Sequence, residues 1–110
     1  MTNAMETRGV LYSSLGNDPE LGELVEMFVD EMPGRVDRFE KLFAEKNWEE
    51  LRRAAHQLKG AVGSYGFDVI TPKAAQLEEA VKQRRPESEI QRVVEELCAM
   101  CRSTRAGAPG

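Results

Sequence analysis

The side chain best suited to chemistry in this chain is its single histidine, His56, in the segment Ala-Ala-His-Gln-Leu-Lys-Gly-Ala-Val-Gly. A helix turns by about 100° per residue, so residues three, four and seven apart share one face. The face of His56 then carries three cations and two glycines: Arg52, Arg53, Lys59, Gly60 and Gly63. Apolar residues repeat on a different face: Trp48, Leu51, Ala55, Leu58, Val62 and Tyr65. We therefore predict that His56 points away from the core.

An exposed imidazole can act as a metal ligand, a general base or a nucleophile. A metal site needs several ligands, and base catalysis on a bound substrate needs a pocket that a convex helix face does not provide. Nucleophilic attack on a phosphoryl group needs an accessible ring nitrogen, room for an incoming protein and nearby positive charge. The pattern fits this third role, with Lys59 reaching toward a phosphate and Arg52 and Arg53 widening the basic patch.

The two glycines on this face have two possible explanations. Glycine inside a helix costs about 0.5–1 kcal/mol relative to alanine, so its presence calls for a reason. Gly60, one turn beyond His56, would remove a side chain that crowds the ring, and Gly63 would keep the next turn low. Alternatively, the glycines permit close helix packing and His56 is an incidental surface residue.

Five helices are predicted by the apolar spacing and by the residues that begin and end each segment. Asp18-Pro19-Glu20 has the form of a helix start, and Leu21, Leu24, Val25, Phe28 and Val29 would give that helix its apolar stripe. Pro33-Gly34 breaks or kinks the chain before a second helical stretch. Asn47 and Glu50 form a capping box for the helix that carries His56, which Gly66 ends. The fourth helix begins either at Asp68 or after a cap at Thr71, and Pro86 opens the last one.

These helices predict an all-α fold, because amphipathic helices joined by short loops bury their apolar stripes against one another. We expect an antiparallel up-down four-helix bundle with a short extra N-terminal helix. The predicted boundaries are a flexible N-terminal segment at 1–17, the bundle domain at 18–104 and a flexible tail at 105–110.

Composition excludes several classes of protein. The chain has 110 residues, 41% hydrophobic and 31% charged, with a net charge of -4. That size suits one domain, and the acidic balance gives no indication of a nucleic-acid partner. No apolar run approaches the roughly 20 residues that span a bilayer, and the N-terminus lacks the apolar segment of a secretory signal. We expect a cytoplasmic protein without a membrane partner.

Cys98 and Cys101 have the C-x-x-C spacing of some redox and metal motifs. Their context is a long amphipathic helix, and no second pair or nearby histidine completes a zinc site. We interpret both as small residues on a buried helix face in a reducing compartment.

His56-Gln57-Leu58-Lys59-Gly60 resembles the H-x-x-K-G signature of histidine phosphotransfer (HPt) domains. Ala54-Ala55, Gly63 to Phe67 and Leu77-Glu78 are also similar to that family, as are Asp18 to Phe28 and Asn47-Trp48. The resemblance extends from Asp18 to Arg102, nearly all of the chain expected to be ordered.

The resemblance implies a four-helix bundle that accepts a phosphoryl group from an aspartyl phosphate on a receiver domain and passes it to a second receiver. His56 would be phosphorylated through Nε2, Lys59 would hold phosphoryl oxygens, and Gly60 would give clearance. Gln57 would contact the partner, together with Gly63, Arg52 and Arg53. The receivers would belong to response regulators or hybrid histidine kinases. Magnesium would sit on the receiver, so the chain would bind no metal or cofactor and have no kinase or hydrolase activity of its own. A monomer is expected, because the histidine must dock with two partners.

Two other interpretations place a histidine on a bundle helix. The phosphoacceptor domain of a sensor kinase usually follows its histidine with an acid and soon a proline, whereas here Gln57 follows and the next proline is Pro72. A non-catalytic helical interaction module would make His56 incidental. Phosphorylation by a receiver distinguishes that module from a phosphotransfer domain.

Overall fold

The computed structural model describes residues 10–106. Within that range the helices are α1 (Gly22–Asp30), α2 (Met32–Ala44), α3 (Trp48–Ser64), α4 (Thr71–Lys82) and α5 (Glu87–Arg102). A 3-10 turn at Asp68–Ile70 precedes α4, and two-residue strands lie at Leu11–Tyr12 (β1) and Thr104–Arg105 (β2). The predicted all-α class is confirmed.

The four long helices form a ring in which each packs against its two neighbours. α3 packs against α2 and α4, and α5 packs against the same two helices. The connections between successive helices are short, so neighbours in sequence run in opposite directions. α3 and α5 therefore lie diagonally across the bundle, and the short α1 packs against α2.

The core face of α3 is the predicted one. Leu51, Ala55, Leu58 and Val62 are fully buried, and Trp48 and Tyr65 are half-buried at the two ends of the helix. Cys98 and Cys101 also lie in the core, as expected. Burial raises the pKa of the Cys98 thiol to about 11 and that of Cys101 to about 12. Both side chains act as small apolar groups in the packing of α5.

Most helix ends match the sequence prediction. Asn47 accepts a hydrogen bond from the Glu50 amide (3.4 Å) at the start of α3. Gly66 has a φ of +80°, and Phe67 N donates to Val62 O (2.8 Å), which closes the end of that helix. A Cβ at position 66 would also collide with the hydroxyl oxygens of Ser13 and Ser14. Only glycine fits this turn without strain.

Several details differ from the prediction. The predicted capping box is incomplete. The backbone N–H of Asn47 donates to Leu42 O, and the Glu50 carboxylate instead accepts hydrogen bonds from Arg38 and Arg53. The Asp18 carboxylate caps a turn by accepting from the amides of Glu20 and Leu21, and regular helix begins at Gly22.

The start of α4 and the stripe of α1 also differ. The sequence predicted a helix start either at Asp68 or after a cap at Thr71. In the structure a 3-10 turn begins at Asp68, and the α-helix begins at Thr71 with Pro72 in its first turn. In α1, Val25 and Phe28 are buried, but Leu24 is exposed, as is Leu21, which immediately precedes the helix. The short helix covers one end of the bundle and contacts it with only part of its apolar surface.

The two strands were not predicted. Leu11 and Tyr12 pair in parallel with Thr104 and Arg105, and Leu11 N donates to Ser103 O (2.8 Å). This pairing ties part of the segment predicted to be flexible to the end of α5. Two-residue strands contain too few residues for an alternating pattern to be recognised.

Candidate functional site

His56 lies in the middle of α3 on the solvent side, with its side chain 63% exposed. The helix is fixed beneath it by the buried residues of its other face, so the position of the ring is set by a rigid element. His56 Nδ1 lies 2.8 Å from Oε2 of Glu78, which projects from α4. The bond joins the two helices at the level of the histidine.

The contact with Glu78 determines which ring nitrogen carries the proton. An ionised carboxylate only accepts hydrogen bonds, so Nδ1 must donate and hold a proton. In the neutral ring the lone pair then resides on Nε2, at the far side of the imidazole. Nε2 is therefore the atom available for nucleophilic attack.

Lys59 contacts the same carboxylate from the next turn of α3. Its Nζ lies 2.7 Å from Glu78 Oε1, so the two oxygens of Glu78 bridge the imidazole and the ammonium group. Glu78 is mostly buried, with 15% of its side chain exposed. A buried carboxylate keeps its charge when it is hydrogen-bonded and paired in this way.

The bridge stabilises the ionised form of Glu78. The hydrogen bond from Lys59, followed by the one from His56, lowers the pKa of Glu78 below its ordinary value, although burial opposes this shift. The bridge therefore contributes to stability in full above the pKa of an unfolded glutamate, about 4.3. Its contribution is lost as the pH falls through the lower pKa of the folded state.

The two glycines are not required for helix packing among the described residues. A Cβ added at Gly60 meets nothing within 4 Å, and one added at Gly63 meets only Asp68 Oδ1 at 3.9 Å. Side chains four residues apart lie on one helical face and lean toward the N-terminus. A side chain at position 60 would thus extend over His56, and glycine leaves that space open.

The remaining predicted site residues are near the surface, and both arginines are paired. Arg52 Nη2 lies 2.6 Å from Glu49 Oε2, and Arg53 Nη1 lies 3.2 Å from Glu50 Oε2. Gln57 is exposed beside His56. The positive charge predicted for this face is therefore partly compensated by the acidic first turn of α3.

Glu78 is the residue that sequence reasoning missed. Leu77-Glu78 was recognised only as part of the family resemblance, and Glu78 received no role. The spacing of 22 residues from His56 spans a turn and a change of helix. A sequence pattern alone does not give the register of α4 against α3, so it could not bring the two side chains together.

In a comparison with protein-family models, residues 23–107 match the Hpt domain. The chain belongs to the Hpt domain family. The match includes His56, Lys59 and Glu78 and every helix of the ring. Hpt domains take part in histidine phosphotransfer in two-component signalling, and they interact with the receiver domains of response regulators. No curated protein and no solved structure matches the chain.

No helix within residues 10–106 is both long and apolar enough to cross a membrane.

Proposed function

We propose that this Hpt domain relays a phosphoryl group between aspartates of receiver domains through a phosphohistidine at His56. The observation that supports this most strongly is the hydrogen bond from His56 Nδ1 to Glu78, because it leaves Nε2 of the neutral ring unprotonated on a side chain that is mostly exposed. Family membership supports the general reaction, and the arrangement around His56 supports the choice of Nε2 as the acceptor atom.

The chemical step is a direct transfer between two proteins. The Nε2 lone pair attacks the phosphorus of an aspartyl phosphate, a nitrogen–phosphorus bond forms, and the bond to the aspartate oxygen breaks. The aspartate leaves as a carboxylate with the bonding electron pair, and Nδ1 keeps the proton it donates to Glu78. The reverse sequence passes the group to another receiver. Such reactions depend mainly on positioning and charge neutralisation.

The charged neighbours would act in the product state. Phosphorylation makes the imidazole ring more positive, and the Glu78 carboxylate stabilises that charge at Nδ1. Lys59, already one turn from the ring, would shift from Glu78 to a phosphoryl oxygen. Gln57, Gly60, Gly63, Arg52 and Arg53 would face the partner. We propose that the protein is cytoplasmic. We also propose that it is a monomer, because the same face must engage each receiver in turn.

The test is phosphoryl transfer from a phosphorylated receiver domain of the source organism. We expect the wild-type protein to gain phosphate that is labile in acid and stable in base, as a phosphoramidate is. No gain from any receiver, with the donors shown to be phosphorylated, would contradict the proposal.

Glu78 should be a positioning residue that acts through His56. We expect Glu78→Ala to lower the transfer rate by about 10- to 100-fold, the loss that is typical when a carboxylate that orients a metal-binding histidine is removed. Glu78→Gln should retain more activity, because its amide oxygen still accepts from Nδ1. Equal losses in the two variants would show that the hydrogen bond does not matter.

Lys59→Ala should slow transfer by about tenfold or more, the equivalent of one hydrogen bond to a charged group, and shorten the lifetime of the phosphohistidine without abolishing attack. Lys73→Ala is the matched control, because Lys73 makes a similar interhelical pair with Glu96 at 2.8 Å. Rates and lifetimes should be measured together with thermal melting. If both variants behave alike, Lys59 has no special role at the phosphoryl group.

A further inference from the structure

A groove opens where the start of α3 meets the turn between α4 and α5. Its volume is about 690 Å³, and its walls combine apolar and charged side chains. Trp48, Val81 and Ile90 supply apolar surface, and Trp48 is held in place by an edge-on contact with Phe43, with ring centroids 5.7 Å apart. The groove is therefore a shaped surface built by three separate elements.

Positive charge exceeds negative charge along the groove. Four cationic side chains and two carboxylates line it, in a chain whose net charge is -4. Arg52 is paired with Glu49, and Arg85 is paired with Glu89 at 3.0 Å. Lys82 and Arg84, by contrast, have no carboxylate within 4 Å among the described residues. These two charges are free to meet an anionic group.

The turn that carries these charges is ordered by backbone hydrogen bonds. Arg84 has a φ of +56°, its amide donates to Val81 O (3.0 Å), and the Arg85 amide donates to Ala80 O (3.0 Å). These bonds end α4 and fix the path of the chain into Pro86. The cations are thus presented from a defined turn.

The groove is continuous with the face of His56. Arg52 lines it and precedes His56 by one helical turn, and Lys82 follows Glu78 by one turn on α4. From His56 to Trp48 the helix rises only about 12 Å, whereas an interface of about 800 Å² per partner has a radius of about 16 Å. A protein centred on His56 therefore reaches the side of the groove that Arg52 and Lys82 line.

We propose that the groove receives an acidic segment of the receiver domain docked at His56, a segment with carboxylates for Lys82 and Arg84 and one apolar side chain for the floor beside Trp48. The inference rests on the proposed function and names a second contact of the same partner. Such charge complementarity mainly accelerates association and fixes orientation. It leaves the chemical step at His56 unchanged.

The experiment combines transfer kinetics with a probe inside the groove. Trp48 is the only tryptophan of the chain, so a protein labelled with 5-fluorotryptophan gives a single 19F resonance from this groove. We expect that resonance to shift when a receiver binds. We also expect Lys82→Glu/Arg84→Glu to raise the receiver concentration for half-maximal transfer by about tenfold or more, with the maximal rate retained. Raising the salt concentration should weaken wild-type binding more than binding of the variant.

Arg92→Glu on α5 is the control, because Arg92 is exposed and lies outside the groove. It should leave the half-saturating concentration unchanged. The groove proposal is wrong if a receiver transfers phosphate to the wild type without moving the Trp48 resonance, and if Lys82→Glu/Arg84→Glu and Arg92→Glu have the same half-saturating receiver concentration. If a receiver moves the resonance but the wild type never gains phosphate, the relay function fails while the groove contact stands.

Discussion

His56→Gln should accept no phosphoryl group from any receiver while remaining fully folded. Glutamine has no nucleophilic ring nitrogen, and the chain contains no second histidine that could replace it. The variant loses the His56–Glu78 hydrogen bond, which contributes at most about 1.5–3 kcal/mol. Lys59 still pairs with the Glu78 carboxylate, so the bundle should remain folded. Transfer from a radiolabelled receiver and thermal melting of the variant measure the two parts of this prediction.

Gln57→Ala serves as the control for His56→Gln. It removes a neighbouring exposed side chain and leaves the His56–Glu78 hydrogen bond in place. We expect it to retain transfer, with at most a weaker affinity for the receiver. Acid-labile phosphate on His56→Gln, at the level of the wild type, would contradict the assignment of the acceptor.

Gly60→Tyr should lower the rate of transfer by about 100-fold or more without unfolding the bundle. The reacting atoms must approach to about 3–3.5 Å, and a displacement of about 1 Å is enough to cost two orders of magnitude. A tyrosine at position 60 would lean over His56 and hold the receiver away. The core gains no strain, because the space beside Gly60 is open.

Two variants separate this steric effect from other consequences of the substitution. Gly60→Ala should raise the free energy of unfolding by about 0.5–1 kcal/mol and keep most of the transfer activity. Ala99→Tyr adds a similar ring to an exposed position on α5, diagonally across the bundle from α3, and should leave transfer unchanged. Full transfer by Gly60→Tyr would show that the glycine does not provide clearance for a partner.

The sequence predicted those parts of the fold that depend on local chemistry and on periodicity. The buried residues of α3 follow from the spacing of Leu51, Ala55, Leu58 and Val62, and the end of α3 follows from Gly66. The exposure of His56 follows from the same periodicity. Each of these features is decided within one or two helical turns.

Features that depend on contacts between distant segments were not predictable. The bridge from Glu78 to His56 and Lys59 requires the register of α4 against α3. The pairing of β1 with β2 joins the two ends of the described chain. The exposure of Leu24 depends on how much of α1 the bundle covers. The ion pair of Arg52 with Glu49 was within one turn, but the sequence left open whether the arginine would face Glu49 or solvent.

Nuclear magnetic resonance of the 15N-histidine-labelled protein, phosphorylated by a receiver, tests the central claim most directly. With affinity tags removed, every imidazole signal belongs to His56, because it is the only histidine. We predict a protonated Nδ1 and an unprotonated Nε2 before transfer, and coupling between 31P and Nε2 afterwards. Coupling of 31P to Nδ1, or a phosphorylated protein whose histidine signals do not change, would contradict it.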